Sequence, residues 1–390
     1  MQKEKNTIQA ITTGNALVAK AAIDAGCRFF GGYPITPSSE VAHEMSFLLP
    51  KNEGTFIQME DEISGIAVAL GASMGGTKSM TATSGPGISL KAENIGLAFA
   101  AEIPLVIVDV MRGGPSTGLP TRVSQGDILQ LRNPTHGDFA SITLAPGTLA
   151  ECYTQAVRAF NLAEKYMTPV FLALDETLGH MYSKAMLPDP SSLKIVKRAE
   201  YTGEKKEYQP YKVPMNTPAI LNPMFKGFHY HITGLQHGPT GFPTEDAELC
   251  TYNMSRLMGK IQVPMAEKGS LDDEAAVEKF MLDDAEICII AYGSASLSVK
   301  EAVLRLRKEG IKAGLLRPII LWPSPEKEIE KACSAYKYIF VAELNMGQYI
   351  REVERLSKGK KIHPILKSNG RPIIPSEMAE AVKKELGGKN

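Results

Sequence analysis

The chain has 390 residues, of which 44% are hydrophobic and 22% charged, with 43 basic side chains against 43 acidic ones. That balance excludes binding driven by a basic face, whether to nucleic acid or to an anionic membrane, and no apolar run reaches the ~18 residues of a membrane span. The length fits two domains with a connecting segment, and the opening stretch MQKEKNTIQAITTGNALVAK has no continuous apolar core of a secretory signal, so a cytoplasmic protein is expected.

In chain order, residues 15–26 place small and apolar residues at helical spacing and stop at a glycine. RFFGGYPIT reads as a short buried strand, residues 60–76 as a helix rich in Ala and Gly that must pack closely, and SMTATSG as a strand. SLKAENIGLAFAAE is helical, and PLVIVDVM is a continuous apolar strand of the kind buried on both faces of a parallel sheet. A loop over 112–126, a short helix and ASITLAP follow, then the amphipathic helix TLAECYTQAVRAFNLAEKY and the strand PVFLALDE. This alternation predicts an α/β domain with a doubly wound parallel sheet over residues 1–185. Residues 186–280 scatter proline through PDPSS, YQPYKVP, NTPAILNP and HGPTGFPTED, and read as an irregular connecting arm. Alternation returns over 281–390, where AEICIIAYGSA, SLSVKEAVLRLRKEG, IKAGLLRPIIL and YIFVAEL predict a smaller α/β domain.

Ligands of open α/β sheets sit outside the carboxyl ends of the strands, which directs attention to YPITPSSE, TSGPGISL, RGGPSTGLPTRVSQGD and DETLGHM. The sequence has no GxGxxG after a strand, no P-loop, and no GDG of a Mg²⁺–diphosphate site. The five cysteines lie far apart in sequence, so any iron–sulfur cluster belongs on another chain. Thr36 stands between Pro34 and Pro37, which hold its hydroxyl still, while the serines after it suit a helix N-cap. Glu60 heads the cluster Glu60–Asp61–Glu62 at a helix start; capping suits the latter two, and Glu60 is expected to point into a tight interface. Arg112 closes an apolar strand among small residues, a place from which a guanidinium grips a carboxylate through two bonds. GPG at 85–87 reads as a tight strand–helix turn, and His136 and His180 lie in loops at the same edge.

Taken in order, YPITPSSE, QMEDEISGIAVALGAS, TATSGPGISLKAENIGLA, RGGPSTGLPTRVSQGD, DETLGHM, HITGLQHGPTGFPT and AELNMGQYIREV resemble the α subunit of the 2-oxoacid:ferredoxin oxidoreductases, on the 2-oxoglutarate (KorA-type) branch. The resemblance implies a thiamine diphosphate pyrimidine-binding domain followed by a domain like the transketolase C-terminal one. It implies CoA-dependent oxidative decarboxylation of 2-oxoglutarate to succinyl-CoA, with electrons passing to ferredoxin. Mg²⁺ and a [4Fe–4S] cluster would sit on a β subunit, with separate γ and ferredoxin-like δ subunits as further partners. By position, Glu60 is similar to the glutamate that hydrogen-bonds N1′ of the cofactor's pyrimidine, with Gly85 and Pro86 beside the cofactor. Thr36 resembles the threonine that meets the substrate's carboxylate or keto oxygen, and Arg112 the arginine that binds its carboxylate. Arg122 and His136 are the candidate cations for a second substrate carboxylate. The competing readings are a branched-chain or pyruvate-specific α subunit, a lipoamide-linked dehydrogenase chain, and a non-catalytic scaffold subunit.

Overall fold

The structure, a computed structural model, describes residues 7–387. The first part of the chain runs β1 (Thr7–Thr12), α1 (Gly14–Asp24), β2 (Phe29–Gly32), α2 (Ser39–Lys51), β3 (Thr55–Gln58), α3 (Glu62–Met74), β4 (Ser79–Thr83), α4 (Gly85–Ala100) and β5 (Leu105–Gly113). It continues through β6 (Leu119–Val123), α5 (Ile128–Arg132), β7 (Ile142–Leu144), α6 (Leu149–Tyr166), β8 (Pro169–Asp175), α7 (Glu176–His180) and β9 (Ser183–Pro188). The rest comprises α8 (Ala247–Lys268), β10 (Val277–Phe280), β11 (Ile287–Ala291), α9 (Ala295–Lys308), β12 (Ala313–Pro318), β13 (Ile320–Trp322), α10 (Glu326–Ala335), β14 (Tyr338–Glu343), α11 (Ile350–Leu356), β15 (Ile362–Leu366) and α12 (Pro375–Gly387).

Apolar runs without alternation become interior parallel strands. Every residue of β5 and of β8 is buried, and the large sheet has the order β13-β7-β8-β5-β4-β2-β3, with parallel pairing from β7 to β3. From β2 the chain steps outward to β3 and then back across to β4, so the strand order reverses between β2 and β4 and opens a crevice at their carboxyl ends. The small residues of α3 let it approach that crevice: a Cβ on Gly65 would lie 2.9 Å from Gly32 Cα, a distance only backbone-to-backbone packing permits. A second sheet, β10-β12-β11-β14-β15, is parallel except for β10, and β1 and β9 form a separate antiparallel pair.

Three features differ from the sequence expectation. The loop expected over 112–126 contains β6, which folds back antiparallel on β5 with Val123 opposite Arg112. The run IKAGLLRPIIL is not one strand: β12 belongs to the second sheet, while β13 crosses over and pairs with β7 of the first. Apolar continuity carries no information about which sheet a residue joins. The proline-rich arm contains a 22-residue helix, α8, capped by Asp246, whose side chain accepts from Leu249 N at 2.8 Å, and closed by Gly269 at φ 72°. Its apolar stripe is hidden in the sequence because Arg256 and Lys260 also point inward, onto the buried Glu102.

The two α/β units are joined by buried polar contacts around Ser124–Ile128. Asp175, at the end of β8, accepts from Gln125 Nε2 at 3.1 Å and from Ser294 N at 2.8 Å, and burial pushes its carboxyl above the usual range. Trp322 Nε1 donates to Ile128 O at 2.9 Å, and Arg317 forks onto Glu151. Among the described residues no helix is long and apolar enough to cross a membrane, and no cluster of three or more His, Cys, Asp or Glu could hold a metal ion. Cys27, Cys152, Cys288 and Cys333 are buried free thiols.

Candidate functional site

The site grows from the loop after β2. Asn15, at the buried start of α1, donates through Nδ2 to Pro37 O at 2.8 Å and to Glu40 Oε2 at 3.2 Å. From the other side Arg112, only 6% exposed at the carboxyl end of β5, donates to Thr36 O at 2.6 Å. Two side chains from different elements therefore pin the backbone of Thr36–Pro37, and the Thr36 hydroxyl has no partner among the described residues. Ser38 occupies the N-cap position of α2, yet its hydroxyl donates to Ile35 O at 2.8 Å and caps nothing. His180 lies against the same loop, with Nε2 3.3 Å from Glu40 and Nδ1 3.3 Å from Glu176.

The acidic cluster divides differently from the expectation. Asp61 is the N-cap of α3, accepting from Ser64 N at 2.7 Å, which holds its carboxyl below the usual range. Glu60 is exposed on this chain. Glu62 is the buried one, 5% exposed, in the first turn of α3. Its carboxylate accepts no hydrogen bond from the described residues, and its Oε1 lies 3.1 Å from where a Cβ of Gly87 would stand. Lys91, fully buried on α4, donates to the Glu62 carbonyl at 3.1 Å; burial lowers its ammonium to about 8, against the pull of Glu62.

GPG is not a turn ahead of the helix but the first turn of α4, with Pro86 in its opening positions. Gly85 touches Asp127: a Cβ there would be 2.7 Å from Asp127 Oδ1 and 2.9 Å from Oδ2. Asp127 faces Asp109, an acid set inside the buried strand β5. Burial and this mutual contact push Asp109 well above the usual carboxylate range, and burial pushes Asp127 up to about 6, against the pull of Arg112.

Buried polar atoms without a hydrogen-bond partner collect here: Asn15 Oδ1, Thr81 Oγ1, Ser84 Oγ, both oxygens of Asp109, Arg112 Nε and Asp127 Oδ2. Such atoms are costly unless a ligand, water or shared proton meets them. A water-poor carboxylate, a half-free guanidinium and a free hydroxyl are what a nitrogen heterocycle and a carboxylate-bearing substrate need, so the residues fit a pyrimidine-containing cofactor with an oxoacid beside it.

The structure brings Thr36, Arg112, Gly85, Pro86 and the Glu60–Glu62 turn to one edge. Arg122 sits on β6, exposed, one residue from the position opposite Arg112. His136 is separated from them. It lines a cavity of about 450 Å³ with Phe99 and Ala100, at the far end of α4 from Gly85. Asn15, Asp109, Asp127 and the buried Glu62 were missed by the sequence reading. The one legible signal was Asp109, a lone acid inside PLVIVDVM, a run otherwise free of charge.

Comparison with known proteins bears on this edge directly. Residues 20–255 match the family described as pyruvate flavodoxin/ferredoxin oxidoreductase, thiamine diphosphate-binding, and residues 285–378 match pyruvate:ferredoxin oxidoreductase core domain II. The 2-oxoglutarate synthase subunit KorA of Methanothermobacter marburgensis is 43% identical over 371 residues, covering 95% of this chain and 97% of its own. The subunit of the same name from Methanocaldococcus jannaschii is 44% identical over 373 residues, covering 95% and 98%. The solved 2-oxoglutarate:ferredoxin oxidoreductase of Magnetococcus marinus, with 2-oxoglutarate, coenzyme A and succinyl-CoA bound, superposes with TM-score 0.86 at 34% identity. That match covers 99% of this chain and 66% of the other. A split-gene transketolase shares the fold at 14% identity and TM-score 0.57, over 98% of this chain.

Proposed function

The chain belongs to the α subunits of the 2-oxoacid:ferredoxin oxidoreductases, and on that premise we propose that it decarboxylates 2-oxoglutarate oxidatively to succinyl-CoA, working with a β subunit. The observation that carries the reading is the link between Arg112 and Thr36 at the sheet's switch point, with a guanidinium Nε and a hydroxyl left for a ligand. Thiamine diphosphate, when bound, supplies the electron sink that decarboxylation of a 2-oxoacid requires. Arg112 binds and orients the substrate's 1-carboxylate through the face of its guanidinium not engaged by Thr36, and the Thr36 hydroxyl donates to the adjacent keto oxygen. Arg122, on the rim, meets the second carboxylate that distinguishes 2-oxoglutarate from pyruvate. His136, at the opposite end of α4, takes no part.

Glu60 is the carboxylate we assign to the pyrimidine. It is exposed on this chain, in the turn before α3, and the chemistry needs an acceptor shielded from water, which in this proposal the β subunit provides by covering that edge. Glu62, 5% exposed and without a hydrogen bond to its carboxylate from the described residues, is the alternative. In the assembled complex, Glu60→Gln is expected to lower turnover by about a hundredfold or more. Glu62→Gln should stay within a few-fold of wild type; the reverse ranking moves the role to Glu62. Reduction of ferredoxin or methyl viologen with 2-oxoglutarate, pyruvate and 2-oxoisovalerate in parallel tests the substrate, and a preference for either of the other acids would overturn it.

The Mg²⁺–diphosphate site and the [4Fe–4S] cluster belong in this proposal to the β chain, since this sequence has neither GDG nor a clustered set of cysteines. Separate γ and ferredoxin-like δ subunits, ferredoxin as acceptor and a cytoplasmic location complete it.

A further inference from the structure

We propose that Asn15 is a positioning residue for the reaction: its amide holds the Pro37 carbonyl and thereby sets the Thr36 hydroxyl against the substrate. The inference rests on the assignment of Thr36 to the substrate and adds the group, outside the ligand contacts, that fixes its loop.

Three consecutive carbonyls of the loop each receive a donor from a different direction. Ile35 O accepts from Ser38 N at 2.8 Å and from Ser38 Oγ at 2.8 Å. Thr36 O accepts from Arg112 Nη1 at 2.6 Å, and Pro37 O from Asn15 Nδ2 at 2.8 Å. The first link is local and travels with the loop. The second comes from a side chain assigned to the substrate itself. Asn15 supplies the third, from a part of the fold that has no freedom to follow the loop. There α1 and α7 meet backbone to backbone: a Cβ on Gly14 would stand 2.1 Å from Leu178 O, and one on Gly179 2.9 Å from Asn15 Oδ1. Asn15 is fully buried at this contact. Its acceptors dictate the orientation of the amide. Nδ2 faces Pro37 O and, at 3.2 Å, Glu40 Oε2, and a reversed amide would set oxygen against both. Glu40 is exposed and can turn to water if its bond is lost. Pro37 is buried, and its carbonyl has no other donor among the described residues. Without the amide the loop loses its tie to α1, and the Thr36 hydroxyl, unbonded on its own account, shifts with the backbone that carries it.

The test uses the assembled complex with whichever 2-oxoacid turns over, methyl viologen as acceptor, and the variants Asn15→Ala, Thr36→Val and the two combined. Asn15→Ala is expected to lower kcat/KM for the 2-oxoacid about tenfold. It should leave kcat/KM for methyl viologen, which reports the later electron transfer, at the wild-type value. In the Thr36→Val background the same substitution should cost less than about twofold, because its target is already gone. Wild-type kinetics in Asn15→Ala, equal losses for both substrates, or full additivity with Thr36→Val overturns the proposal. If Asn15→Ala fails to assemble, Asn15→Leu, which fills the space of the amide without a donor, carries the same cycle. Thr36→Val with wild-type kinetics refutes the assignment of Thr36 and this inference with it. A damaging Thr36→Val beside a harmless Asn15→Ala removes this inference alone.

Discussion

At Gly85 the absence of a side chain is a requirement of the site. A methyl group there would stand 2.7 Å from Asp127 Oδ1 and 2.9 Å from Oδ2, so the carboxylate has to shift. Overpacking of this kind costs about 1–3 kcal/mol. Gly85→Ala is therefore expected to lower the unfolding free energy by that amount, read as a lower denaturant midpoint, and to raise KM for the 2-oxoacid, since Gly85 lies at the proposed cofactor edge. Wild-type KM in a destabilised variant would separate packing from positioning. The same logic explains why Glu60 and Glu62, two residues apart, have different surroundings: the first turn of α3 rotates Glu62 toward Gly87 and leaves Glu60 outside.

Between elements, α3 and α4 meet around a buried cation. Lys91 has its ammonium lowered to about 8, mainly by burial, so near pH 7 the native state carries the full cost of a desolvated charge. As pH rises above 8 the native lysine releases its proton before the unfolded one does, and stability should increase through that window. Lys91→Met keeps the length and removes the charge. It is expected to stabilise the chain by roughly 2 kcal/mol at pH 7, after allowing for the lost bond to the Glu62 carbonyl. Urea unfolding at pH 7 and at pH 10 checks this: the advantage of Met should shrink at the higher pH. A constant difference would mean that Lys91 is not titrating there.

Across the whole molecule, a buried triad is among the contacts that hold the arm to the first domain. Glu102, fully buried, bonds Lys260 at 2.8 Å and Arg256 at 2.5 Å. Burial pushes its carboxyl up, but Lys260 and Arg256 outweigh it and hold Glu102 to about 2. Its contribution is thus complete above the ordinary glutamate range and is lost as pH falls toward 2. Glu102→Gln leaves two cations buried without their anion, which costs about 3–5 kcal/mol. The expected result is a lower urea midpoint at pH 7 and faster proteolysis in the segment 186–246, as α8 loosens. Unchanged proteolysis would show that Arg198 on Glu164 and Tyr211 on Ala101 hold the arm unaided.

The sequence by itself determined the α/β class, the buried parallel strands PLVIVDVM and PVFLALD, and the sheet edge at which the candidate residues gather. These depend on local burial and on strand–loop–helix order, which residue patterns record directly. That Thr36 and Arg112 meet at this edge was legible for the same reason, one lying between prolines and the other ending a strand. Tertiary structure alone decided the rest. It split IKAGLLRPIIL between two sheets, turned Arg256 and Lys260 inward onto Glu102, buried Glu62 instead of Glu60, moved His136 to another cavity and set Asp127 against Asp109. Each of these depends on which distant residue a side chain meets, and a polar group's cost or use is set by that partner rather than by its neighbours in the chain.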